Sequence, residues 1–363
     1  MKKILYLMGV DWYWIKQRPQ IVAEMLAKDY DITVVYQKEI VKNIALRKNK
    51  DELKNSIALP VLPLRDKNNI VHVIQKFIFK WEINNIHEYD LIWVGHPLLY
   101  RYIPPSFRGK IVYDCMDNHV ALCMDSVISE MIYESEMKLL ERADLVFVSS
   151  NHLKNGIETI YHYTKAVLVR NGFMKGIIHR PSKVRIEDKV KIGYFGTIAE
   201  WIDFEILLNS LEEAKEVEYH FWGPVLDVKV PQHPRILMEG VAEHKQLWDK
   251  AKDLDCLIMP FKINSIIEDV DPVKLYEYIS MGKTIIAPYY GELERFTPYV
   301  HFYHNEREFV ELLDRLRKGE LAPKYSEVAQ DDFLMNNTWD KRYEIVRINL
   351  LRITGEDNFQ FKG

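Results

Sequence analysis

With 363 residues, 48% of them hydrophobic and 28% charged, the chain is long enough for two or three domains with large cores. A formal net charge of −4 argues against a dedicated nucleic-acid binder, and three scattered cysteines without metal-ligand spacing, Cys115, Cys123 and Cys256, suit a reducing compartment such as the cytoplasm. No run of about 18 uninterrupted apolar residues occurs, so no transmembrane helix is expected.

The first apolar run, KILYLMGV (3–10), reads as a buried strand rather than a secretory signal, because it is brief, Asp11 ends it and no small-residue cleavage site follows. Further β-rich runs stand at 31–36, 57–62, 90–95, 110–117, 144–150 and 166–172. Several are almost wholly apolar, as expected of strands covered on both faces. Helical patterns at 19–28, 70–83, 130–143 and 151–161 lie between them. The polar stretch 175–189, with a proline and no period, reads as a linker. The alternation then restarts, with strands at 191–196, 218–223, 235–241, 255–260, 284–291 and 300–304 and helices at 203–214, 244–253 and 305–318. A last helix runs from a cap at Asn337 or Thr338 to 354. Alternating β and α segments imply parallel sheets covered by helices. The expected organisation is one Rossmann-like domain over 1–174, a linker over 175–189, a second Rossmann-like domain over 190–338, and a C-terminal helix over 339–363.

In doubly wound sheets, ligands bind outside the carboxyl ends of the strands. Gly9, His96, Asp117, Gly196 with Thr197, Gly223, and Lys262 all fall just after strands. Two such rims suit a substrate with two ends. The most charged of these places is EDVDPVKLYEYISMGK (268–283). Asp271-Pro272 reads as an N-cap followed by proline in the first helical turn, and Gly282 as the helix stop. Asp271, Lys274 and Glu277 then share one helix face. By pattern alone this is a capped surface helix with a Lys/Glu pair.

The spacing from Asp269 to Glu277, an acid, seven residues and a glutamate followed by a Gly-Lys strand entry, resembles the signature of retaining glycosyltransferases of family 4, also termed glycosyltransferase group 1. DPVKLYEYISMGKTIIAP is similar to bacterial polysaccharide and teichuronic-acid-type members. WYWIKQRPQIVAEMLA resembles their opening segment, and NTWDKRYEIV the helix that returns to the first domain. The resemblance implies the GT-B fold, two facing Rossmann-like doubly wound domains with an interdomain cleft. It also implies transfer of a sugar, with retention, from a nucleotide-diphosphate donor of UDP or GDP type to a glycan or lipid-linked acceptor. The setting would be bacterial cell-surface polysaccharide or glycoconjugate synthesis.

By position, the resemblance assigns Glu277 to the ribose hydroxyls and Asp269 to the donor sugar or its anomeric charge, although relatives more often carry Glu at the first acid. Main-chain N–H groups from Val270 to Val273, with Asp271 and Lys274 nearby, would lie by the diphosphate. Relatives place Arg or Lys after the glycine equivalent to Gly196; here Thr197 follows, which leaves Lys262 as the remaining cation for the leaving group, or as a solvated loop lysine. The base pocket would be largely main-chain, near Gly223 and Val241. On the first domain His96 would meet the transferred sugar. Asp117 either contacts a substrate or caps a turn, and Arg18, near the Gly9 loop, either grips phosphate or sits at a helix start. No DxD or His pair marks a metal site, so metal independence is expected and no cofactor beyond the donor. A nucleotide-sugar epimerase or hydrolase, and a non-catalytic sugar-nucleotide-binding subunit, are the alternatives. Basic and aromatic residues in 38–55 and 73–83 either bury their apolar sides or hold an anionic bilayer, which would place a cytoplasmic protein at the inner face of the membrane.

Overall fold

Strands covered on both faces have no polar side to show, and the apolar runs fold accordingly. The computed structural model describes residues 1–14, 16–39, 55–163, 165–182, 189–243 and 246–355. The chain divides into two units, Met1–Arg170 with Arg342–Gly363, and Asn171–Lys341.

In unit 1, seven strands form one sheet: β1 (Lys3–Met8), β2 (Asp31–Glu39), β3 (Ser56–Val61), β4 (Leu91–Val94), β5 (Lys110–Cys115), β6 (Leu145–Val148) and β7 (Ala166–Leu168). Their order is β3-β2-β1-β4-β5-β6-β7, and every pair is parallel. The central strands are buried along their length, and Trp93 of β4 stacks on Phe147 of β6 at 5.4 Å between centroids. Between the strands lie α1 (Arg18–Asp29), α2 (Asn69–Ile83), α3 (Ser126–Arg142) and α4 (Asn151–Ile160). Three of these start where a side chain satisfies otherwise orphaned N–H groups. Asn68 accepts from Ile70 and Val71, Asp125 from Val127 and Ile128, and Ser150 from Leu153.

Unit 2 carries β8 (Val190–Phe195), α5 (Phe204–Glu213), β9 (Val217–Trp222), β10 (Ile236–Gly240), α6 (Leu247–Lys252) and β11 (Cys256–Ile258). It continues through α7 (Ser265–Glu268), α8 (Val273–Ser280), β12 (Thr284–Pro288), β13 (His301–Tyr303), α9 (Glu306–Arg317) and α10 (Glu327–Asn336). The sheet order is β10-β9-β8-β11-β12-β13, again parallel. The last helix, α11 (Trp339–Thr354), is capped by Thr338, whose hydroxyl accepts from the Lys341 N–H at 3.2 Å. From Arg342 onward it belongs to unit 1, where Tyr343 donates to Asp29 at 2.8 Å and Lys2 donates to the Thr354 carbonyl at 2.8 Å.

Of the sequence-expected linker, 183–188 lie outside the described residues. Its first part is tied down on unit 2. The His179 and Ser182 N–H groups donate to the Ser280 and Gly282 carbonyls at 2.8 and 3.1 Å. Gly282 stops α8 at φ 67°, and a Cβ on it would overlap the His179 and Arg180 carbonyls. Both sheets run outward from their first strand and then reverse, so each has a switch point: between β1 and β4 in unit 1, and between β8 and β11 in unit 2. In open α/β sheets that crevice, on the carboxyl side, is where ligands bind.

Candidate functional site

In unit 2, β8 ends at Gly196 with φ 141°, a conformation that glycine adopts without a Cβ clash. A Cβ there would overlap Lys274 Cε and stand 2.9 Å from its Nζ. Gly223, after β9, has φ 157°, and a Cβ on it would overlap the Gly196 carbonyl oxygen. The Gly196 N–H donates to the Trp222 carbonyl at 2.9 Å, and the Gly223 N–H to the Gly240 carbonyl at 2.9 Å. Three neighbouring strands therefore end in glycines packed backbone on backbone, with a lysine laid across the first. At Gly223, where a Cβ would meet backbone, only glycine permits this approach.

Lys274 reaches that place from the first turn of α8. Its Nζ lies 5.5 Å from the ring centroids of both Tyr194 and Phe261, so two aromatic faces hold the ammonium. Burial pushes its pKa below the ordinary lysine value, while the Glu277 carboxylate one turn on pulls it back up. Val273, Lys274 and Glu277 are the half-buried positions of α8, whereas Leu275, Tyr276, Tyr278 and Ile279 are buried. Thr197 follows Gly196 half-buried, its carbonyl accepting from the Tyr194 hydroxyl at 2.7 Å. Lys262 is exposed in the loop after β11, with its N–H bonded to the Trp201 carbonyl at 2.8 Å. Val241, after β10, is also exposed.

Asp271 departs from its expected role. The N-cap of α8 is Pro272, whose ring makes no side-chain cap bond. The Asp271 carboxylate is buried, accepting from the Asn171 N–H at 2.6 Å, from the Tyr276 hydroxyl at 3.1 Å and from Arg295. Asn171 also donates through Nδ2 to the Asp271 carbonyl at 2.7 Å. A carboxylate enclosed by these donors fixes the entry to α8 and is not presented to a donor substrate. Asp269 closes α7 and is 5% exposed, so the acid expected to meet the donor sugar is covered.

In unit 1 the switch point brings together Gly9 and His96. A Cβ on Gly9 would stand 2.8 Å from His96 Cβ. His96 caps the 3-10 turn Pro97–Tyr102, its Nδ1 accepting from the Leu98 N–H at 3.2 Å. That bond leaves the proton on Nε2 of the neutral ring. Burial, with a smaller contribution from Arg65, lowers the His96 pKa to about 4. Its ring lies 4.4 Å from that of His119, which burial and then His96 push well below the ordinary value. His119 Nε2 is buried with no hydrogen-bond partner. Asp117 is half-buried in the same loop, its carbonyl accepting from the His119 N–H at 3.0 Å.

Arg18 likewise departs from the expected phosphate grip or exposed helix start. Its guanidinium is buried, donating to Asp114 through Nη2 at 2.7 Å and through Nε at 3.1 and 3.2 Å, and to the Val169 carbonyl through Nη1 at 2.6 Å. It ties α1 to β5 and to the chain after β7 instead of presenting its fork to phosphate.

Sequence reasoning missed the residues that hold these groups in place: Tyr194 and Phe261 around Lys274, and Asn171 and Arg295 on Asp271. No spacing connects them, because each partner arrives from another strand or loop. Among the described residues, no group of three or more His, Cys, Asp and Glu side chains is gathered to hold a metal ion.

No family model matches the chain. It is 23% identical over 217 residues to the Bacillus subtilis (strain 168) protein named "Putative teichuronic acid biosynthesis glycosyltransferase TuaH", a match covering 53% of this chain and 54% of that protein. The chain thus spans about half the length of the curated relative it matches. Among solved structures it superimposes on sucrose-phosphate synthase from Thermosynechococcus elongatus with a TM-score of 0.73 at 12% identity, covering 99% of this chain and 100% of that one. It superimposes on the E. coli trehalose-6-phosphate structure bound with UDP-2-fluoro glucose with a TM-score of 0.66 at 8% identity, covering 96% and 99%. These whole-chain likenesses show the fold to be GT-B, the class that the sequence resemblance implied.

Proposed function

We propose that this chain is a glycosyltransferase that takes a sugar from a nucleotide-diphosphate donor of UDP or GDP type and passes it, with retention and without a metal ion, to a glycan or lipid-linked acceptor hydroxyl. The observation that carries the reading is the Lys274 ammonium laid on the Gly196 backbone at the switch point of unit 2. A diphosphate set there meets a cation already stripped of much of its water and held by two rings, so little reorganisation is needed when charge develops on the leaving group. Lys262 adds a second, exposed cation from the loop after the neighbouring strand. The start of α8 points the positive end of the helix toward the same anion. Glu277, one turn further, would accept from the ribose hydroxyls, and the Gly223 and Val241 backbone would border the base.

On unit 1, His96 offers Nε2–H as a donor to a sugar hydroxyl and stays neutral at physiological pH. Further support comes from the relative named for teichuronic acid biosynthesis, which fits an acceptor in cell-surface polysaccharide synthesis. The test is binding of UDP-, GDP-, ADP- and dTDP-sugars, followed by transfer to acceptor extracts with and without chelator, with the product anomer read by NMR. Binding of a sugar nucleotide with acceptor-dependent, chelator-insensitive transfer and a retained anomer is the expected result. Failure to bind any of the donors sinks the reading, and turnover without acceptor favours a hydrolase.

A further inference from the structure

The outward face of α2 is apolar where a solvent-facing helix should be polar. Its inner face, with Gln75, Phe79 and Ile83, is buried; Gln75 accepts from the Leu62 N–H at 2.9 Å and donates to the Pro60 carbonyl at 2.9 Å. The opposite face presents Ile70, Val73, Ile74, Phe77 and Trp81, the last two 68% and 85% exposed. At 100° per residue these five share one stripe about 100° wide. Lys76 and Lys80, both exposed, run along one flank of it. Leu64, in the turn before the helix, has φ 61° and a side chain 64% exposed. A leucine held in the left-handed region and turned outward is costly in two ways, and an apolar partner for its side chain offsets one of them. An ion pair between Lys67 and Asp125 joins this end of α2 to the start of α3, where Met124 and Val127 are also exposed.

We infer that this face docks on the surface of an anionic lipid bilayer, with α2 lying in the interfacial plane. The helix has 15 residues, about 22 Å at ~1.5 Å per residue, and is too short to span a bilayer. No helix among the described residues is long and apolar enough to do so. Phenylalanine, tryptophan and branched residues on one face with lysines beside them are the composition of a helix that sits at the headgroup boundary. The lysine flank selects the occupant. A second copy laid on the stripe would bring like charges together, whereas anionic headgroups would neutralise them. The docking belongs to unit 1 and is independent of the sugar-transfer reading, so either can fail without the other.

The test is co-sedimentation of the full chain with phosphatidylcholine vesicles and with vesicles also containing phosphatidylglycerol, at low and high salt. Phe77→Ser/Trp81→Ser and Lys76→Glu/Lys80→Glu variants are compared with it, their folding checked by circular dichroism and their association state by analytical ultracentrifugation. The expected result is binding to the anionic vesicles, weakened by salt and reduced by about tenfold or more in each variant, with melting temperature unchanged. Absence of binding to anionic vesicles overturns the inference. So does binding that survives Phe77→Ser/Trp81→Ser, or a concentration-dependent dimer that this variant abolishes while vesicles are ignored.

Discussion

Lysine 274 and the two glycines beneath it separate binding from folding. If the proposed function holds, Lys274→Ala should remove a charge-assisted contact to phosphate worth about 1.5–3 kcal/mol, a roughly ten- to hundredfold loss of donor affinity by titration calorimetry. The melting temperature should hold or rise, since a partly desolvated cation is no longer buried. Gly196→Ala meets mainly the far end of that flexible lysine, so the variant should fold, with a strain cost of about 1–2 kcal/mol, yet lose donor affinity. Gly223→Ala meets backbone, the Gly196 carbonyl. It should cost about 3 kcal/mol or more in denaturant unfolding. Equal damage from the two glycine variants would contradict the geometry. On the other unit, His96 binds its proton less readily in the folded state, with a pKa of about 4, than in the unfolded state near 6.5. The unfolded chain therefore takes up more protons between those values. The stability that His96 contributes is complete above about pH 6.5 and is lost as pH falls toward 4. Comparing wild type with His96→Gln by urea unfolding between pH 7 and 5 should show the smaller decline in the variant.

Elements, by contrast, are fixed by groups that the sequence cannot pair. The strands were legible because their apolar runs are the direct consequence of burial on both faces, and α5 because Asp203 stands where a cap should and does accept from the Ile206 N–H at 3.2 Å. The glycines after strands were legible for the same reason, since a rim needs backbone that can turn. Arg18 and Asp271 were not. Arg18 precedes a proline in what reads as an exposed helix start, but its partner Asp114 lies 96 residues away, near the carboxyl end of a buried strand. Asp271 precedes a proline in the pattern of an N-cap, but the Asn171 N–H, 100 residues back, claims its carboxylate. Local pattern sees the helix start in both cases and cannot see the tertiary donor or acceptor that outcompetes it. Arg18→Ala should leave Asp114 buried and unpaired, costing about 3–5 kcal/mol. A double Arg18→Leu/Asp114→Leu variant should recover much of that loss in chemical denaturation. Donor affinity in the folded double variant should match wild type, because the Arg18 guanidinium is buried against Asp114 and the Val169 carbonyl.

At the scale of the whole molecule, the two units repeat one design: a sheet that reverses beside its first strand, with a glycine at the end of that strand. The repeats differ in what faces the glycine. In unit 2 it is a lysine and in unit 1 His96, whose ring lies against His119, a contrast from which we propose that unit 2 takes the anionic part of a substrate and unit 1 recognises hydroxyls. A free nucleoside diphosphate tests that division, since it carries the anion without the sugar. Hydrogen exchange with saturating UDP or GDP should slow amides after β8, after β9 and through the first turns of α8. Those after β1 and β4 should remain as in the free protein. At about 100 times Kd the ligand adds about 2.7 kcal/mol to the stability of what it binds, so a rise in melting temperature should accompany the protection and vanish in Lys274→Ala. Protection centred on Gly9 and His96 would instead give the phosphate site to unit 1, and the contrast between lysine and histidine would then need another cause.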